Sequence, residues 1–144
     1  MINKYITLRW LSLGLALLPS LLLSQDKIES LQQVQLLSQD ECVIVQINAE
    51  WNMSANIDLS KLKNCAIFNA SIDEPNYGVI IATEWKVKSV PTIIMFEYGK
   101  EIRRFEAGLS FKLDKDTILK QINNEIDEIQ LRKFRWENYY VVYY

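Results

Sequence analysis

Residues 47–60 read "INAEWNMSANIDLS", and the way the chain enters and leaves this stretch decides the fold. Upstream, "CVIVQIN" (42–48) is short, rich in β-branched residues and almost continuously apolar, which suits a strand covered on both faces. Ala49-Glu50-Trp51 ends that strand, and Asn52-Met53-Ser54-Ala55 opens a helix. The segment "IDLSKLKN" (57–64) leaves room for only one or two helical turns. A second apolar, β-rich run follows, "CAIFNAS" (65–71). Two such runs with a helical connection indicate parallel strands in a covered sheet.

Working outward, "DKIESLQQVQLLSQDE" (26–41) places Ile28, Leu31, Val34, Leu36 and Leu37 at helical spacing, which predicts a helix there. "NYGVIIATEWKV" (76–87) also reads as a helix. "PTIIMFEY" (91–98) and "KEIRRFEAG" (100–108) form an antiparallel hairpin, with Gly99 supplying the positive φ of the turn. From Asp114 a long helix carries Ile118, Ile122, Ile126 and Ile129 on one stripe, and Asp114 or Asp116 caps it. The order α-β-α-β-α-β-β-α predicts a mixed α/β sheet between helices.

Composition narrows the chemistry. The chain has 144 residues, 49% of them apolar, a net charge of −2 and no histidine. One domain is expected, with no basic face to attract nucleic acid. Without histidine there is no Ser-His-Asp or Cys-His pair, and two cysteines alone do not make a structural zinc site. No cofactor is implied. The acidic residues Glu41, Glu50, Asp58, Asp73 and Glu74 show no metal-loop spacing.

Residues 1–24 differ in kind. Lys4 and Arg9 precede the apolar run "WLSLGLALLPSLLL" (10–23), which Ser24-Gln25-Asp26 closes. A basic head, a short apolar core and a polar end describe a secretory signal. At ~1.5 Å per residue the run reaches only ~21 Å, short of a ~30 Å hydrocarbon layer. An uncleaved membrane anchor is the alternative, and a helix of the domain the third reading. Either of the first two implies export, to a periplasmic or secreted location or to a membrane.

Over residues 26 to 130 the chain resembles the thioredoxin family. "VIVQINAEW" is similar to the strand leading into that family's active site, and "AIFNASIDE" to its next strand, ending in Ile72-Asp73. "KVKSVPTIIMFEYGKEI" resembles the Val-Pro-Thr segment and its hairpin, with Pro91 where the family has a cis-proline. "FEAGLS" puts Gly108 at the family's glycine after the last strand. The resemblance implies a three-layer sandwich, a central mixed sheet with helices on both faces. It divides the chain into residues 1–24, a domain at 25–130 and an aromatic tail at 131–144.

Against that family the chain departs in three places. Asn52 and Ala55 stand where its Cys-x-x-Cys thiols would be, Gln46 stands where it has a buried acid, and the active-site helix is too short. Disulfide exchange needs a thiolate and a resolving thiol. The resemblance therefore implies a redox-inactive protein, not an enzyme, acting as a protein-binding or assembly module for an unidentified partner. The family's substrate groove would survive as Trp51, Asn52, Val90, Pro91 and Gly108, or Trp51 would simply cap the core.

Cys42 and Cys65 each begin a strand. If the strands are neighbours, as the family arrangement implies, the α-carbons come within disulfide range. The expectation is nonetheless two buried free thiols, because neighbouring parallel strands often aim their side chains badly for a bridge. A divergent thiol–disulfide oxidoreductase or redox sensor using this pair is the alternative function, and a structural subunit of a membrane-associated complex is another. Finally, "FRWENYYVVYY" (134–144) concentrates Phe134, Trp136, Tyr139, Tyr140, Tyr143 and Tyr144 at the terminus. It either extends the last helix and packs at home or meets a partner, and the second is the stronger expectation.

Overall fold

The computed structural model describes residues 26–28 and 30–142. The elements are β1 (Asp26–Lys27), α1 (Leu31–Asp40), β2 (Cys42–Asn48), a 3-10 helix (Glu50–Ala55), β3 (Cys65–Ser71), α2 (Gly78–Glu84), β4 (Thr92–Glu97), β5 (Lys100–Glu106) and α3 (Lys115–Val142). The strand order is β1-β3-β2-β4-β5. β1 and β2 run parallel to β3, while β4 is antiparallel to both β2 and β5. This is the expected mixed sheet with helices on both faces.

β2 is buried along its whole length, which accounts for its unbroken apolar sequence. Its alternate residues serve two cores. Cys42 and Ile44 join Ile93, Met95 and the α3 stripe Ile118, Ile122, Ile126 and Ile129. Val43, Val45 and Ile47 join Val34 of α1, Ile81 of α2, and Ile94 and Phe96 of β4. Burying each isoleucine of the α3 stripe is worth roughly 1.5–3 kcal/mol. Packing of that stripe, more than intrinsic helix propensity, holds α3 on the sheet.

Local chemistry sets the element ends. The Ser30 hydroxyl oxygen accepts from the Gln33 N–H at 3.1 Å and opens α1, so the helix begins at Leu31 rather than at 26. Asp26 and Lys27 instead add a short parallel strand to β3. The Asp114 carboxylate accepts from the Thr117 N–H at 2.8 Å and caps α3. That hydrogen bonding to Thr117 lowers the Asp114 pKa. At the hairpin both Tyr98 (φ 52°) and Gly99 (φ 71°) are left-handed, the backbone a two-residue turn of this hand requires. Gly78 is needed for a different reason: a Cβ there would sit 2.3 Å from the Ile72 carbonyl oxygen.

Two further features differ from the sequence reading. The helical turn after β2 spans Glu50–Ala55, and the segment 56–64 is loop. The reason is Gln46, buried in β2, which both accepts from the Ile57 N–H (2.8 Å) and donates to the Ile57 carbonyl (3.1 Å), pulling the backbone out of any helix there. At the other end, α3 runs on through the aromatic segment as far as Val142. Its 28 residues span about 42 Å, against about 23 Å for a seven-residue strand, so the last turns pass beyond the sheet.

Candidate functional site

The corner where β2 ends is built from amides. The Asn48 side chain donates to the Asn52 carbonyl and to Asn56 Oδ1, both at 2.7 Å, and its own Oδ1 accepts from the Ala49 N–H at 2.9 Å. Asn52 is buried, and its Nδ2 donates to the carbonyls of Phe111 (3.0 Å) and Val90 (3.4 Å). Val90 precedes Pro91, and the bond between them is cis. The Glu50 N–H is held by Asp73 Oδ2 at 2.6 Å. Trp51, 64% exposed, stands edge-on to Phe111 with ring centroids 5.3 Å apart. The Phe111 N–H in turn donates to the Gly108 carbonyl at 3.0 Å.

The structure thus gathers Trp51, Asn52, Val90, Pro91 and Gly108 at one corner. Asn52 does not lie open in a groove there. It bridges β2 to the two loops that flank it, and takes the carbonyl in front of Pro91 as one acceptor. Phe111 and Asn48, which complete the corner, carried no sequence signal beyond a polar residue inside an apolar strand.

The other end of the same strands holds the sulfurs. Cys42 and Cys65 are Cα partners in the parallel β2–β3 register, so both side chains leave the same face of the sheet. Their α-carbons are 4.5 Å apart and they form a disulfide. The expectation of free thiols was mistaken for this reason: in-register pairing, not the generic parallel neighbour, aims the two side chains together. Cys42 is fully buried among Ile126, Ile129 and their neighbours, whereas Cys65 keeps partial solvent access. Lys61 and Lys63 lie in the segment leading into Cys65, and Asn64 (φ 67°) turns the chain into the strand.

Other surroundings are less suited to chemistry. A cavity of about 450 Å³ opens between α1, α2 and the hairpin, lined by Val34, Trp85, Phe96 and Arg104 among others. Arg104 is committed to Glu101 and Glu106. Among the described residues no cluster of three or more His, Cys, Asp or Glu could hold a metal ion. No described helix is long and apolar enough to cross a membrane. Phe134, Trp136 and Tyr139 are exposed on the last turns of α3. The side chain of Tyr140, and Tyr143, Tyr144 and residues 1–24, lie outside the described residues.

Solved structures match this arrangement closely in topology. A thioredoxin from Malassezia sympodialis superposes with a TM-score of 0.57 at 18% identity, covering 72% of this chain and 91% of that one. A mutant thioredoxin from Entamoeba histolytica gives 0.55 at 20% identity, over 70% of this chain and 99% of that one. The fold is that of the thioredoxins. A chain from a structure addressing how yeast mitochondrial 1-Cys peroxiredoxin is resolved via glutathione/thioredoxin systems gives 0.57 at 19% identity, over 70% and 95%. No protein-family model matches the sequence, and no curated protein does.

A disulfide-bonded cysteine pair in a thioredoxin fold overturns the expectation of a redox-inactive binding or assembly module that is no enzyme. That expectation looked for thiols at positions 52 and 55, where this thioredoxin-like chain has Asn and Ala, and discounted the pair it does possess. The pair was visible in the sequence only as two strand-opening cysteines. Its partnership depends on register.

Proposed function

We propose that the protein is a thiol–disulfide oxidoreductase whose redox couple is Cys42 and Cys65. The observation that carries this reading is the asymmetry of the bridge: the Cys65 residue keeps partial access to solvent, while Cys42 is sealed in the core. Exchange proceeds by thiolate attack through a mixed disulfide, so it needs an accessible sulfur for the partner molecule and a protected one to resolve the intermediate. Cys65 suits the first role and Cys42 the second. The substrate class is the disulfide or dithiol of another protein, and a dithiol reductant regenerates the reduced form.

An exported setting goes with this chemistry. The basic residues and apolar run of residues 1–24 support export, either released or membrane-anchored, and a disulfide persists in oxidising compartments.

The test is insulin reduction in the presence of a dithiol, with the bridge followed by thiol labelling. The bridge is expected to open and close under native conditions, and turnover to vanish in Cys65→Ser. A bridge that resists dithiols until the protein unfolds, with no turnover above the dithiol alone, would refute the assignment.

A further inference from the structure

Glu97, the last residue of β4, is a carboxylate in an apolar place. It is 5% exposed, and Arg132 of α3 donates to its Oε2 at 2.8 Å. Its other oxygen, Oε1, is buried with no hydrogen-bond partner. Buried polar atoms are nearly always partnered, so an orphaned carboxylate oxygen asks for an explanation.

Its place in the sheet supplies one. In the antiparallel β2–β4 register Val43 faces Phe96 and Ile44 faces Met95. Carried one step beyond its last pair, the same register brings Glu97 across from Cys42. Directly opposed residues project from the same face with Cβ atoms roughly 4.5–5.5 Å apart. The cores confirm the face. Ile44 and Met95 pack with α3, Val43 and Phe96 on the far side, and Glu97 reaches Arg132 on α3. The unpartnered carboxylate and the buried sulfur thus share one end of the α3 side of the sheet.

We propose that Glu97 is the proton acceptor for Cys42 when the buried thiol resolves the mixed disulfide, an inference that rests on the redox reading above. In the first step the Cys65 thiolate attacks a partner disulfide, and one partner thiolate leaves. In the second, the Cys42 thiol proton passes to Glu97 Oε1 as its sulfur forms the bond to Cys65 Sγ. The bond from Cys65 to the remaining partner sulfur breaks, and that sulfur leaves as thiolate and takes a proton from water. The partner is reduced by two electrons, the dithiol becomes the disulfide, and Glu97 returns its proton to solvent. The charges around Glu97 are Arg132 with Glu125 and Glu128 on α3, Lys100 across the hairpin, and Asp40, Glu41 and Lys133 at the α1–β2 junction. A thiol buried in an apolar core does not ionise readily by itself, which is why an acceptor at this position matters.

The experiment uses the reduced full chain and an aromatic disulfide reagent whose released thiolate is coloured. The first colour release reports attack by Cys65, the second resolution by Cys42. With a carboxylate acceptor, the second phase should stay flat from about pH 6 to 8, below the ordinary thiol pKa of about 8.5. In Glu97→Gln it should fall about tenfold per pH unit over that range and converge with wild type above about pH 9. Parallel profiles for wild type and Glu97→Gln would overturn the proposal. If Glu97→Gln does not fold, the wild-type profile decides: a plateau supports the proposal and a tenfold fall per unit refutes it. A wild type that shows no second phase at any pH defeats the redox reading itself, and Glu97's role with it.

Discussion

The two ends of the central sheet solve opposite problems with the same two strands. At the C-terminal end of β2, Asn48, Asn52 and Asn56 knit the backbone together, and the cis-proline corner carries no thiol. At the N-terminal end, the core receives a disulfide between one half-buried and one buried cysteine. About 20 Å of strand separates them. An amide fills a site without ionising or bonding covalently, so the first end is rigid and inert. A sulfur pair can do both, so the proposed chemistry belongs to the second end. Likeness of fold therefore does not carry a site to the same place.

The largest expected effect divides the two ends outright. Cys65→Ser should reduce turnover to background, whereas Asn52→Ala should leave the turnover of the folded protein within about twofold. Equal losses in both variants would erase the distinction between the ends. Next in size is the bridge's share of stability. Its sequence separation is 23, and closing a loop of that length is worth about 3 kcal/mol by the chain-entropy relation. Full reduction should lower the melting temperature by roughly 10 °C, read by calorimetry with and without a dithiol.

Asn52→Ala strips the Val90 carbonyl, which is buried, and that of Phe111, which is partly so, of a donor, and should cost about 1–3 kcal/mol in urea unfolding. A neutral result would mean that water replaces the amide and that the corner is looser than its geometry. Smaller still is the acid response. The Asp114 pKa is lowered by Thr117, and that of Asp58 by Ser60. Depressed carboxyl pKa values contribute stability that is present above the unfolded pKa near 3.8 and is lost as pH falls through the folded values. Melting temperature should therefore drop below about pH 4, and Asp114→Asn should flatten part of that slope while preserving the cap. An unchanged slope would remove the α3 cap from the account.

Much of the fold was legible because its signals are local. β2 and β3 announce themselves as continuous apolar runs, the α3 isoleucines as a helical stripe, and the hairpin by Gly99. The order of these elements, with Val90-Pro91 between α2 and β4, was enough to name the architecture. The candidate site was legible only in its residues. Trp51, Asn52 and Pro91 could be placed at one corner, but the burial of Asn52 against Phe111 joins positions far apart in sequence. Gln46 read as a lost acid, whereas its structural work is to hold Ile57.

By itself, then, the sequence determined β2, β3, the hairpin and the buried stripe of α3, because apolar periodicity and capping act over a few residues. It also determined that positions 52 and 55 carry no thiol. Tertiary structure decided that Cys42 meets Cys65, that Glu97 stands at the buried sulfur's end, and that α3 carries its aromatics past the sheet. These depend on strand register and helix length relative to the sheet. A one-residue slip would turn the cysteines to opposite faces without changing any local signal.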